Sequence, residues 1–257
     1  MINGVPIGVQ SYSFRDRSLD QAIQAMRQIG LSYCELWAGH LEPRSRLNRD
    51  ELRNWRLTVA LEEFRKVRHK FDAAGVRLTA YSYSLRQDFS EGEMARGFQM
   101  AKALGVSTIT ASSNVSNSRR VDSYASRARV TVGMHNHSRV VPDELATPED
   151  FAKALEGASP YLGINLDVGH FVAAGFDPIS FIESNHRRIV ALHLKDRKKN
   201  QGPDMPFGQG HTPIREVLRL MQKSRYRFPA IIEYEYQGQE TVAEVRACFE
   251  FCRQALS

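Results

Sequence analysis

The sequence predicts an α/β fold, a (β/α)₈ barrel of the TIM type, and three observations support this prediction. Short apolar runs alternate with helical patterns along all 257 residues, and eight of these runs have the length of a strand. Eight strand and helix units in roughly 250 residues match the size of such a barrel. No linker or low-complexity tract separates the units, so residues 1–257 are expected to form a single domain.

The apolar runs are typical of parallel strands that are buried on both faces. The predicted strands are Ile7–Ser13, Tyr33–Trp37, Arg77–Tyr83, Ser107–Ala111, Val130–His135, Leu162–Asp167, Ile189–Lys195 and Ala230–Glu235.

Four segments between these strands have the signals of a helix start. Ser90–Glu93 and Thr241–Glu244 have the sequence of a capping box. Thr147-Pro148 and Thr212-Pro213 each pair an N-cap residue with a proline at the first helical position. These pairs predict helices that begin at the corresponding residues.

Helix ends are indicated by glycines that precede the next strand. Gly30, Gly75 and Gly105 lie where a left-handed residue terminates a helix. The segment Ser112–Arg129 is the irregular unit, and it is expected to hold about two helical turns around Val121–Ala128.

A doubly wound open sheet is the alternative fold. The first turn between a strand and a helix, however, contains Gln10–Phe14 and no glycine-rich phosphate loop. Neither a Walker-type lysine motif nor G-x-G-x-x-G occurs in the chain. These absences favour the barrel.

Composition indicates a soluble enzyme-sized protein. The 35 Lys and Arg exceed the 29 Asp and Glu by 6, but they are dispersed, so no nucleic-acid partner is expected. The three cysteines lack the spacing of a disulfide framework or a zinc cluster. No membrane span or signal segment is visible, which predicts a cytoplasmic protein, or a periplasmic one if a signal was removed before this numbering begins.

Metal-ligating residues lie at the end, or two residues before the end, of four consecutive predicted strands. The carboxyl ends of barrel strands open on one face, so residues distant in sequence converge there. One imidazole or carboxylate alone is a weak signal, but four in successive units indicate a metal. The predicted ligands of a single divalent ion, Mn²⁺, Zn²⁺ or Co²⁺, are His135, Asp167, His193 and Glu233.

Three further residues are expected near this centre. His170 is interpreted as a second ligand, a partner of a ligand, a substrate contact or a helix-cap histidine. Lys195 shares the inward face with His193, where an ammonium stabilises a developing oxyanion. His137 either faces inward as a substrate contact or belongs to a hydrogen-bonded loop.

A sugar-sized ligand is expected to meet an aromatic wall at the same mouth. The predicted substrate contacts there are Glu35, Tyr12, Trp37 and Tyr81, beside His137. The loop Arg197–Thr212 is rich in glycine and proline and is expected to fold over the site as a partial lid.

Several of these motifs resemble the xylose-isomerase-like barrel superfamily of sugar isomerases, epimerases, inosose dehydratases and apurinic endonucleases. They are Leu166–His170, His193–Asp196, Gly208–Gly210 and Ile231–Glu233. The resemblance implies a divalent metal held by Glu, Asp, His and Glu after strands five to eight. Asp167, His193 and Glu233 fit that pattern, whereas the pair His135-Asn136 replaces the expected Glu-Asn, which weakens a mechanism with two carboxylates.

The resemblance and the residues together predict a metal-dependent isomerase or epimerase of a sugar, keto-sugar or polyol that acts through an enediolate. Glu233 is the expected base, His135 or His170 returns the proton, and Lys195 steadies the oxyanion. A lyase or dehydratase on a keto-sugar or inosose is the nearest alternative.

A carbohydrate-binding barrel without activity and an endonuclease are further alternatives. The resemblance implies that a nuclease would have an additional metal-binding histidine after strand four and an Asp-x-His pair in the loop after strand seven. Only Ser112–Asn114 follows strand four here, and the loop Arg197–Thr212 has no Asp-x-His pair, so the nuclease is disfavoured. A small-molecule carbohydrate is the expected partner, unphosphorylated because strands seven and eight lack an arginine cluster, and a homo-oligomer is left open.

Overall fold

A computed structural model describes residues 1–43 and 47–257 and confirms the predicted barrel. Eight parallel strands pair side by side, and the last returns to the first. These strands are β1 (Ile7–Gln10), β2 (Tyr33–Trp37), β3 (Arg77–Ser82), β4 (Thr108–Ala111), β5 (Thr131–His135), β6 (Leu162–Asp167), β7 (Ile189–Leu194) and β10 (Ala230–Ile232). A short antiparallel hairpin, β8 (Asp196–Arg197) and β9 (Asp204–Met205), follows β7.

Helices lie between consecutive barrel strands, as the predicted alternation requires, and among the described residues two connections contain two helices each. In the described part of the chain they are α1 (Leu19–Ile29), α2 (Arg49–Thr58), α3 (Leu61–Ala73), α4 (Glu91–Ala103), α5 (Ser118–Ala128), α6 (Pro148–Leu155), α7 (Val168–Ala173), α8 (Pro178–Asn185), α9 (Ile214–Ser224) and α10 (Thr241–Ala255). The connection from β2 to β3 contains two helices, so α2 is additional to the one helix per strand of a simple barrel. Residues of α2 line the cavity at the open end of the barrel.

Two of the predicted helix starts are confirmed. Ser90 caps α4 in a capping box with Glu93. Thr147 caps α6 in a capping box with Asp150, and Pro148 is the first helical residue. In each case a side-chain oxygen satisfies a backbone N–H that the first helical turn leaves unpaired.

The other two predicted helix starts are wrong by one residue. α10 is capped by the carboxylate of Glu240, because the hydroxyl of Thr241 donates to Asp16 instead. α9 begins after Pro213, because the hydroxyl of Thr212 accepts a hydrogen bond from the backbone of Arg197. The hydroxyls of Thr241 and Thr212 therefore form tertiary hydrogen bonds and do not cap their helices.

The predicted helix ends are confirmed, and one helix is longer than expected. Gly30, Gly75 and Gly105 have φ of 91°, 69° and 69°, in the left-handed region. α5 begins at Ser118 and has 11 residues, about three turns instead of two. A 3-10 turn leads directly into it from Val115–Asn117, so little of the segment is spent on a loop.

Asp196 organises the loop that follows the hairpin strand β8. Its carboxylate accepts hydrogen bonds from the backbone N–H groups of Gly208, Gly210 and Thr212 at 2.7, 3.0 and 3.1 Å. A Cβ at Gly210 would lie 2.1 Å from the carboxylate, so a larger residue does not fit there. Asp196 thus fixes the path of this loop through three backbone hydrogen bonds.

Among the described residues, no helix combines the length and apolarity that crossing a bilayer requires. The three cysteines are buried free thiols.

Candidate metal centre

The four predicted ligands lie together at the carboxyl end of the barrel. The nearest ligand atoms of His135, Asp167, His193 and Glu233 all lie within 4.8 Å of one another, and all four side chains are buried. Asp167 and His193 are register partners on the neighbouring strands β6 and β7. Glu233 follows β10 directly, so four different strand ends supply the cluster.

His135 has donor atoms that the protein leaves unused. Both of its ring nitrogens are buried and form no hydrogen bond, and Nε2 lies 3.8 Å from Oδ2 of Asp167. That Oδ2 atom also forms no hydrogen bond, although the ammonium of Lys195 lies 3.3 Å away. Burial lowers the pKa of His135 well below its ordinary value, so its ring is neutral, as a metal ligand must be. Unpaired buried atoms are costly, and these fit a divalent cation.

Two carboxylates hold the ring of His193. Its Nδ1 lies 3.2 Å from Oε2 of Glu233, and its Nε2 lies 3.1 Å from both carboxylate oxygens of Glu35. Burial alone would lower the pKa of His193, but the Glu35 and Glu233 charges raise it well above its ordinary value. A carboxylate on the far nitrogen is the usual arrangement for a histidine that ligates metal.

The structure therefore corrects the expected position of Glu35. Its side chain is fully buried beneath the cavity, where it also accepts a hydrogen bond of 2.7 Å from the hydroxyl of Thr110. It does not line the mouth as a substrate contact. The reason is depth, because Glu35 lies within β2 and points into the barrel.

The ammonium of Lys195 lies among three carboxylates. Its Nζ is 3.3 Å from Asp167 and 3.1 Å from Glu233, and it also contacts Glu235. Burial lowers the pKa of Lys195, but these carboxylates together raise it well above its ordinary value. Nζ also lies 3.1 Å from Nε2 of His170, so the ammonium has an imidazole beside it as well as the three carboxylates.

Sequence reasoning did not select Glu235 as a site residue. It lines the cavity and burial raises its pKa, against the effect of the Lys195 charge. The alternation of Glu233, Tyr234 and Glu235 is a signal that was available, since residues two apart in extended chain share a face.

His170 lies at the edge of the cluster. Asp167 caps the short helix α7 and accepts a hydrogen bond of 2.7 Å from the backbone N–H of His170. The ring Nε2 lies 3.9 Å from Oδ2 of Asp167, and the ring lines the cavity. Its position is compatible with a substrate contact.

A cavity of about 980 Å³ opens above the cluster. Tyr12, Trp37 and His137 line it, as predicted, and the rings of Tyr12 and Trp37 meet edge to face at 4.9 Å. The cavity is much larger than the metal cluster at its floor, so it has room for a sugar-sized ligand that carries an additional substituent.

Two other expectations about this cavity are wrong. Tyr81 is buried against Phe64 and Tyr83, because strand alternation directs Ser82 to the cavity and Tyr81 to the helices. The loop Arg197–Thr212 contributes no residue to the cavity wall, because it is held around Asp196, so it is not a lid in this structure.

The far end of the cavity is lined by arginines that sequence reasoning also did not select. The spacing of three of them along α2 places them on one face of that helix. Arg56 pairs with the buried Glu42 and Glu93 at 2.8 and 3.2 Å, whereas the side chain of Arg86 is exposed and has no ion-pair partner in the described chain. The set is Arg49, Arg53, Arg56 and Arg86.

A segment of this chain is similar in sequence to proteins of known function. L-ribulose-5-phosphate 3-epimerase of Shigella flexneri is 28% identical over 126 residues, which are 48% of this chain and 44% of that protein. The chain thus matches less than half the length of this curated relative.

Two solved structures share the fold over almost their whole length. The 3-keto-D-glucoside 4-epimerase of E. coli has a TM-score of 0.74 at 12% identity, covering 97% of this chain and 99% of that one. The IOLI protein with a zinc atom has a TM-score of 0.74 at 12% identity, covering 98% of each chain. The model of one protein family, described as the xylose isomerase-like TIM barrel, matches residues 23–254, and the chain belongs to this family.

Proposed function

We propose that the protein is a divalent-metal-dependent sugar isomerase or epimerase that removes a proton from the carbon beside a carbonyl group. The observation that carries this proposal is the cluster of His135, Asp167, His193 and Glu233 at the floor of a large cavity. The curated relative, an epimerase of a ketose phosphate, supports the same reaction class.

The cluster would hold one divalent ion. Two imidazoles and two carboxylates suit Zn²⁺, Mn²⁺ or Co²⁺ better than Mg²⁺, which prefers oxygen ligands. A zinc atom is present in the IOLI structure, which shares the fold. When bound, the ion would polarise a substrate oxygen and so acidify the neighbouring C–H.

Glu233 is the proposed base. Its carboxylate is held by Nε2 of Gln10 at 3.4 Å, by His193 and by Lys195, so it has a defined direction. Burial raises the pKa of Glu233, but Lys195 and His193 outweigh burial and hold it well below its ordinary value, so the group is ionised at neutral pH.

The arginines at the far end of the cavity support a substrate with an anionic substituent. Arg86 forms no ion pair in the described chain, and a guanidinium binds phosphate or carboxylate by paired hydrogen bonds. The sequence-based expectation of an unphosphorylated substrate considered strands seven and eight, whereas these arginines follow β2 and β3.

The test is hydrogen exchange in D₂O with a panel of ketoses, ketose phosphates, keto-inositols and keto-glycosides, read by proton NMR. We expect the metal-loaded protein to exchange a carbon-bound hydrogen beside the carbonyl of at least one member, and Glu233→Gln to abolish this exchange. Product analysis separates isomerisation from epimerisation, and loss of water would show a dehydratase instead. Full metal loading without exchange in any member would overturn the proposal.

A further inference from the structure

The turn that follows β1 carries two buried serines, Ser11 and Ser13, to which the proposed function gives no role. We propose that Ser13 is a positioning residue for Glu233, because its hydroxyl takes the place of a strand partner and fixes the peptide that carries the proposed base. The consequence for metal binding rests on the proposed function, whereas the hydrogen bonds around Glu233 do not.

Glu233 lies just beyond the point at which its strand loses one neighbour. β1 and β10 pair in parallel as far as Val9 and Ile232. The chain of β1 then turns into a short 3-10 helix, Ser11–Phe14, and does not continue beside Glu233 as a strand. On the opposite side the N–H of Glu233 still donates to the carbonyl of Leu194 at 3.0 Å. The pairing at Glu233 is therefore retained towards β7 and lost towards β1.

A strand that continued on the side of β1 would supply two backbone groups. Its N–H would donate to the carbonyl of the residue before Glu233, and its carbonyl would accept from the N–H of the residue after it. The hydroxyl of Ser13 does both, since Oγ donates to the carbonyl of Ile232 at 3.4 Å and accepts from the N–H of Tyr234 at 2.9 Å. A hydroxyl can replace both groups because it is a donor and an acceptor at one atom.

Other residues near the same turn hold the segment as well. Nη1 of Arg15 donates to the carbonyl of Tyr234 at 2.9 Å. Oε1 of Gln10 accepts from the N–H of Tyr12 at 2.9 Å, which fixes the amide so that its Nε2 faces the carboxylate of Glu233 at 3.4 Å. The end of β1 therefore orients both the peptide and the carboxylate of the proposed base.

Burial makes the hydroxyl of Ser13 difficult to replace. Ser13 is 1% exposed and Ile232 is fully buried, so loss of the hydroxyl leaves a buried carbonyl and a buried N–H without their partner. We expect the end of β10 to shift in order to recover hydrogen bonds, and the carboxylate of Glu233 would move with it. Ligand distances in a metal site tolerate changes of only about 0.2 Å, so a small shift weakens metal binding.

Amide hydrogen exchange of the metal-free full chain, read residue by residue in ¹H–¹⁵N spectra, tests the hydrogen bond. Ser13→Ala should speed exchange at Tyr234 by about 5-fold. Ser11→Ala is the matched control, because Ser11 is equally buried in the same turn and its Oγ accepts from the N–H of Trp37 at 2.8 Å, on the side of β2. The control should speed exchange at Trp37 and not at Tyr234. Unchanged exchange at Tyr234 in Ser13→Ala would overturn the proposal.

Zinc titration by calorimetry tests the consequence for Glu233. Ser13→Ala should weaken zinc binding by about 10-fold, as the loss of an outer partner of a ligand does. Ser11→Ala should leave zinc affinity unchanged, although both variants lower the Tm by similar amounts because each loses a buried hydrogen bond. In Glu233→Gln, the addition of Ser13→Ala should weaken zinc binding no further, because Ser13 acts through Glu233.

Three results would show that Ser13 does not position Glu233. They are full zinc affinity in Ser13→Ala, an equal loss of affinity in the two serine variants, and an equal further loss when Ser13→Ala is added to Glu233→Gln. A wild type that binds no zinc, Mn²⁺ or Co²⁺ would instead refute the proposed function, and exchange at Tyr234 would then decide alone whether Ser13 replaces the strand partner.

Discussion

The two ends of the cavity hold networks of charge that differ in how they are built. At the metal centre the charged groups lie on or directly after barrel strands, and His193, Lys195 and Asp167 are at most 2% exposed. At the far end the charges lie on α2 and on the loop after β3, and the side chain of Arg49 is 68% exposed. The charged groups at the floor of the cavity are therefore buried, whereas the far end, which we call the rim, includes charged side chains that are exposed to solvent.

This difference determines what each network can do. Buried charges interact strongly, but each one that loses its partner carries a large desolvation cost. Exposed ion pairs contribute little to stability and exchange partners readily, which suits a group that must bind and release an anionic ligand. Substitutions at the floor should therefore affect metal binding and stability, and substitutions at the rim should affect substrate affinity.

The largest expected effect is on metal binding. Asp167→Asn and Glu233→Gln each remove a charged ligand, so we expect affinity to fall by more than about 100-fold, the upper cost of losing only an outer partner. Metal analysis after dialysis measures the stoichiometry, which should be about one ion per chain in the wild type, as expected for a single four-residue site. Glu62→Gln, on the exposed surface, is the control. Full stoichiometry in both site variants would show that the cluster is not the metal site.

The next largest effect is expected at Lys195, the buried ammonium at the floor of the cavity. Lys195→Met removes the ammonium from three carboxylates, so the metal-free protein should lose about 4 kcal/mol of its free energy of unfolding. Saturating Zn²⁺ restores a positive charge to Asp167 and Glu233, so it should raise the Tm of the variant more than that of the wild type. Urea and thermal unfolding with and without zinc measure both quantities. Equal metal-induced shifts would mean that Lys195 and the ion do not share these carboxylates.

Arg56 differs from the other arginines of the rim, because its side chain is only 12% exposed and contacts Glu42 and Glu93. We expect Arg56→Met to lower the free energy of unfolding by about 3 kcal/mol, because the guanidinium leaves two buried carboxylates. The exposed pair of Arg65 and Glu62 is the comparison, and Arg65→Met should cost less than about 1 kcal/mol. Urea denaturation that gives similar losses for the two variants would show that burial does not determine how much these ion pairs contribute to stability.

The smallest expected effect is at the rim itself. Arg86→Gln should raise the KM for a phosphorylated substrate by about 10-fold, since a hydrogen bond to a charged group contributes about 1.5 kcal/mol. The KM for the matching unphosphorylated sugar, the metal content and the Tm should stay unchanged. Steady-state kinetics with the two substrates measure the difference. An equal change for both would mean that Arg86 does not select for the anion.

Much of the fold and of the cluster was predictable from local pattern. The apolar runs identify the barrel strands because a parallel strand is buried on both faces, and the residue that ends each run is the one that reaches the open end of the barrel. The predicted starts of β6 and β7 agree with the structure. The convergence of His135, Asp167, His193 and Glu233 follows from this topology.

The direction of individual side chains was less predictable. Tyr81 and Ser82 are adjacent in sequence, and only the register of β3 decides which of them faces the cavity. A shift of one residue exchanges the two faces of a strand, and short apolar runs do not define their register to that precision.

The sequence by itself determined the barrel, its single set of strand ends and the ligand types that meet there, because these depend on the period and spacing of residues near one another in the chain. Only the tertiary structure decided which groups pair. Glu35 meets His193 from 158 positions away, and Arg197 meets His170 from a hairpin whose path depends on Asp196. Such contacts are made or lost when the distance between two packed elements changes by a few tenths of an ångström. No local sequence pattern encodes distances to that precision.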